Sequence, residues 1–74
     1  MKHCAVSIQG KDGIVHTVTL QAASLFDAAD QGITAWAKFW YFDQKAIIQV
    51  EADGKRWAVK QERVREWKGH GHAF

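Results

Sequence analysis

The sequence predicts an α+β fold of the type ββαββ, two β-hairpins flanking one α-helix, with the helix packed on one face of a four-stranded, mainly antiparallel sheet. Two observations carry this expectation. Asp12-Gly13 and Asp53-Gly54 each sit between short alternating or β-branched runs, the strongest short-range hairpin signal. Between the hairpins, Ser24-Leu25-Phe26-Asp27 opens an amphipathic stretch with the pattern of a capping box.

In the first hairpin Cys4, Val6 and Ile8 share one face of strand one, and Ile14, His16, Val18 and Leu20 one face of strand two. Ala5, Ser7, Gln9, Thr17 and Thr19 then face outward with Val15. Ser24 caps the helix, and Asp27 suits its positive end. Leu25, Ala29, Gly32, Ile33, Trp36 and Trp40 gather on one stripe, flanked by Ala28 and Phe39, which should lie on the sheet. Glycine costs about 1 kcal/mol relative to alanine inside a helix, so Gly32 implies close backbone packing or a local irregularity. In the second hairpin Ala46, Ile48 and Val50 face inward, as do Trp57 and Val59 after the turn. Gln61 to Trp67 reads as a strand end and one helical turn, with Val64 and Trp67 spaced to press on the domain. Residues 1–67 form the single predicted domain and 68–74 a flexible tail. A helix that crosses back over the sheet makes strands two and three run the same way, so an antiparallel sheet has the order 2-1-3-4 or 1-2-4-3. The first is favoured.

The stretch HTVTLQAASLFDAA at 16–29 resembles a family of small bacterial proteins of unassigned function. That family's pattern is matched by His16, Thr17, Val18, Ala22, Ser24, Leu25, Ala28 and Ala29, with Phe26 and Asp27 where Tyr and Glu are usual. The later WAVKQERVREW is similar to its last strand and closing Val-x-x-Trp, here Val64 and Trp67, with Trp57 where His is common. The likeness spans roughly positions 5 to 67, implies the same fold and transfers no activity. A hairpin followed by a Ser-Leu-x-x-Ala helix also resembles HicB-type antitoxin domains, whose extra strand before the helix is missing here.

At 74 residues the chain has room for one core and no separate catalytic lobe. Cys4 is its only cysteine, so no intramolecular disulfide forms. The N-terminal stretch lacks the apolar segment of a signal peptide and no run is long enough to cross a bilayer, so the expected location is the cytoplasm. The net charge of +2 implies no polyanionic partner by itself.

His3 and Cys4 with His70 and His72 are chemically sensible zinc ligands, but their spacing matches no recognised motif and the two termini fall at opposite sheet ends. No metal and no cofactor is expected. His16 reads as a hydrogen-bonded rim residue rather than a general base, the capping role explains Ser24, and Asp27 and Asp30 serve the helix dipole. No Gly-rich phosphate loop occurs. The chain is not expected to be an enzyme.

The feature with most to explain is AKFWYFDQ at 37–44, where Phe39, Trp40, Tyr41 and Phe42 follow one another. On a helix they would point nearly all round the axis. Trp40 and Phe39 fit the stripe, Tyr41 and Phe42 fall off it, and Phe26 sits at its edge. Either the exit loop folds back so that Tyr41 and Phe42 cap the core, or they form a contact surface. The expected function is protein interaction, self-associating as a homodimer, with Phe26, Tyr41 and Phe42 as the candidate interface. The alternative is nucleic-acid binding or an antitoxin-like regulatory role through Arg56, Lys60, Arg63 and Arg65, with Trp57 or Trp67 stacking on a base.

Overall fold

Alternation and turn chemistry build the first hairpin in the computed structural model, which describes residues 2–69. β1 (Lys2–Gln9) pairs antiparallel with β2 (Val15–Ala22), setting Val6 opposite Val18 and Ile8 opposite His16. Gly13 N–H donates to Gly10 O at 3.0 Å and Gly13 takes φ +78°, so the turn is a three-residue loop closed by a glycine bulge. Ile14, expected on the inner face of strand two, therefore lies in the loop exit and is 58% exposed.

The second hairpin, β3 (Ile47–Ala52) and β4 (Lys55–Lys60), turns at Asp53 and Gly54 with φ of 54° and 76°. Two positive values are what a type I′ turn requires. β3 docks on β1 through Ala5–Glu51, Val6–Val50 and Ser7–Gln49, giving the antiparallel order β2-β1-β3-β4. This is the favoured sequence order, and the sheet has the α+β arrangement the sequence predicts.

α1 (Leu25–Trp36) starts where the cap requires. Ser24 Oγ accepts from Asp27 N–H at 3.1 Å while the Asp27 carboxylate accepts from Ala23 N–H at 3.0 Å, so two otherwise orphaned donors are satisfied. The stripe's predicted continuation through Phe39 and Trp40 is not observed. The helix ends at Trp36, and Phe39 N–H turns back to Trp36 O at 2.8 Å. The twelve residues span about 18 Å, and the chain turns back after them to carry Tyr41 to the first hairpin, where its carbonyl accepts from Lys11 N–H.

A second difference follows β4. Instead of one helical turn, the chain passes without a loop into α2 (Gln61–Gly69), nine residues long, which takes in the first two positions of the predicted tail. His70 and His72 lie outside the described residues. Val64 is buried and Trp67 stacks on Phe26 with centroids 6.0 Å apart, joining α2 to α1 as the Val-x-x-Trp spacing suggests. Gln61, only 4% exposed, donates from Nε2 to Asp43 O and Ala46 O at 2.8 and 2.9 Å, which fixes the α1–β3 connection to α2. Among the described residues no helix is long and apolar enough to cross a membrane.

The core lies on one face of the sheet, where Val6, Ile8, Ile48 and Val50 from the central strands meet Ala28, Ala29 and Trp36 from α1 and Val64 from α2. Gly32 sets the distance between the layers. A Cβ there would stand 2.8 Å from Val6 Cγ1 and 3.1 Å from the Trp36 ring, so close packing is the reason for the mid-helix glycine. Gly32→Ala should lower unfolding free energy by a net of about 1 kcal/mol, because overpacking of about 1–3 kcal/mol exceeds the propensity gain of about 1 kcal/mol. Denaturant titration checks this. Combined with Val6→Ala the losses should be less than additive, whereas simple additivity would contradict the contact.

Candidate functional site

The densest group of polar and aromatic side chains sits at the turn of the first hairpin. Asp12 Oδ1 accepts from Ile14 N–H at 3.0 Å, the local bond an aspartate makes two residues along a turn. That fixes its second oxygen, which lies 3.0 Å from His16 Nε2 on the first turn of β2. The imidazole stacks on Tyr41, with centroids 3.8 Å apart and planes 11° from parallel. Tyr41 in turn stacks on Phe39 at 5.2 Å and meets Trp40 edge-on at 6.2 Å.

The main chain holds the two segments together. Lys11 N–H donates to Tyr41 O at 2.8 Å, and a Cβ at Gly10 would stand 2.7 Å from Asp12 Oδ1 and 3.0 Å from the same oxygen, so the missing side chain there favours the close approach. The connection reaches this point through successive tight turns, with Phe42 N–H on Phe39 O and Ala46 N–H on Asp43 O, both at 3.2 Å. Tyr41 and Phe42 consequently pack against the core, while Trp40 is 74% exposed and Phe39 is exposed beside it. Of the two outcomes open for Tyr41 and Phe42, the folded-back loop is observed, and Phe39 and Trp40 leave the stripe that helical periodicity gave them because no helix runs through the four rings.

The pair of Asp12 and His16 was missed by sequence reasoning, although an aspartate in a turn followed four residues later by a strand histidine is a usable signal. Burial alone would raise the Asp12 pKa, but the Ile14 amide and the His16 ring together outweigh it and hold the carboxyl below its ordinary value of 3.8. Neither Cys4 nor Ser24 joins them. Cys4 is buried four residues along β1, about 13 Å away at strand rise, and the Ser24 hydroxyl caps α1.

An open groove of about 440 Å³ adjoins this end on the uncovered sheet face, lined by Ser7, Gln9, Val15, Asp43, Ile47 and Gln49 among others. It exists because the β1–β3 ladder covers only three residue pairs before the strands part. Val15, 64% exposed, and Ile47 form its apolar rim.

The other sequence candidates lie elsewhere. Phe26 is half-buried between the helices. Arg56 stands 3.8 Å from Glu51 on the open face, Lys60 ends β4, and Arg63 and Arg65, two apart on α2, do not face each other. The four do not form one strip. His3 and Cys4 project from opposite sheet faces, Cys4 inward and His3 beside Gln21 Nε2 at 3.4 Å, so the two cannot share a ligand sphere. Among the described residues no group of three metal-ligating side chains converges. Comparison with protein-family models, curated proteins and solved structures found no match.

Because the folded Asp12 carboxyl is the stronger acid, its contribution to stability is complete above 3.8 and is lost as pH falls through the lower folded value. Asp12→Asn should therefore flatten the acid limb of a stability-against-pH curve. An acid limb identical to that of the natural chain would contradict the arrangement.

Proposed function

We propose that the protein is a small non-enzymatic interaction domain that self-associates. The supporting observation is that Phe39 and Trp40, both large, apolar and exposed, rest on Tyr41 at the first hairpin turn, with Ile14 and Val15 exposed on opposite faces of the segment leaving it. Scattered exposed hydrophobics are ordinary, but adjacent exposed aromatics on a rigid aromatic support are the usual composition of a contact surface. The interface expected from sequence, Phe26, Tyr41 and Phe42, is here replaced by Phe39 and Trp40, with Tyr41 as the platform on which they rest. Size points the same way: a chain of 74 residues buries about 60–65% of its unfolded surface, and a second copy adds burial that one core lacks. The basic residues of β4 and α2 read as a solvated surface, interleaved with Glu51, Glu62 and Glu66.

Light scattering tests this directly. The natural chain should be dimeric at high micromolar concentration, and Phe39→Ser combined with Trp40→Ser should give a folded monomer, with association weakened at least about 10-fold. A natural chain that remains monomeric at that concentration contradicts the proposal.

A further inference from the structure

We propose that the free edge of β2 pairs with β2 of a second copy, related by a two-fold axis at Thr17, to form one continuous eight-stranded sheet. This rests on the self-association reading and supplies its main-chain geometry, beside the Phe39 and Trp40 surface that Tyr41 joins to His16 of β2.

The hydrogen-bonding direction of β2 follows from the turn. Gly10 N–H donates to Ile14 O at 2.9 Å, and antiparallel ladders alternate, so His16, Val18, Leu20 and Ala22 bond to β1 while Val15, Thr17, Thr19 and Gln21 aim their main-chain groups outward. Gln21 O is already occupied by Gln31 Nε2 at 3.0 Å. Among the described residues, what remains open is Val15 to Thr19, whose centre is Thr17.

Sheet edges are normally blunted by charge, proline, a bulge or a covering element. From Val15 to Ala22 there is no charge and no proline, and β2 pairs residue for residue with β1. The opposite edge, β4, carries Lys55, Arg56 and Lys60 and would repel a second copy of itself. The core is also unfinished at β2. Val18 and Leu20 are only partly covered, whereas Val6 and Cys4, directly opposite them on β1, are buried.

The occupant must therefore be an uncharged extended strand, apolar toward the helices and small and polar on the other side. β2 itself has that pattern. With Thr17 on the axis, Val15 and Thr19 of the second copy form hydrogen-bonded pairs, and on the helix side Ile14 meets Leu20 and His16 meets Val18 of the second copy. Both copies then present their helices on the same side of the sheet, and exposed Ile14 gains an apolar neighbour.

Amide hydrogen exchange of the natural chain, followed by NMR across a concentration series, tests the pairing. The Val15, Thr17 and Thr19 amides should exchange at least about 10-fold more slowly in the dimer than after dilution to monomer. A dimeric mass with these amides exchanging as fast as in the monomer would overturn this geometry and leave self-association standing. A monomeric mass at every concentration would overturn both. Thr17→Lys, at an exposed position, sets two like charges face to face on the axis and should yield a folded monomer; a folded dimer of undiminished affinity would also overturn the pairing.

Discussion

The hydrogen bond from Lys11 to the Tyr41 carbonyl decides more of this structure than its own strength suggests. It joins the turn of the first hairpin to a connection that would otherwise be a ten-residue excursion between α1 and β3. Once Tyr41 is placed, its ring stacks on the His16 imidazole and carries Phe39 and Trp40 beside it. Phe42 turns toward the core, and Phe39 and Trp40 turn toward solvent. Asp12 completes the arrangement by bracing His16 from the turn. The connection is secured at its other end by Gln61, which ties two of its carbonyls to the start of α2.

The same end of the molecule is where the sheet is least regular. β1 and β3 part after three pairs, the first hairpin needs an extra loop residue, and β2 is an edge strand that no other described strand pairs with on its outer side. Small domains are short of burial, and here the shortage is local. Helix and sheet approach closely at Gly32 over Val6, while the inward side chains of β2 at His16, Val18 and Leu20 are only partly covered. A second copy at that edge would extend the core where it is thinnest.

Much of the fold was legible because local signals agree with one another. Two Asp-Gly turns, period-two alternation and a Ser-x-x-Asp cap each specify one element, and together they leave few strand orders. The aromatic run was misread for a physical reason. Periodicity extrapolated α1 through Trp40, but the chain turns back at Trp36 so that Tyr41 reaches the first hairpin, a contact that a projection of side chains does not contain. α2 was underestimated because Gln61-Glu62-Arg63-Val64-Arg65-Glu66 is strongly polar. It is held by Val64, Trp67 and the Gln61 amide rather than by an apolar stripe. The place of Tyr41 beside Asp12 and His16 was out of reach since it needs the docking of a loop far along the chain.

The central claim is that Tyr41 is locked against the first hairpin, dividing the aromatic run into supporting and exposed halves. The chemical shifts of the His16 ring protons measure this most directly. Stacked 3.8 Å over a phenol ring, they should be displaced upfield from those of a free imidazole and return toward them in Tyr41→Leu. Unshifted His16 protons in the natural chain would contradict the account.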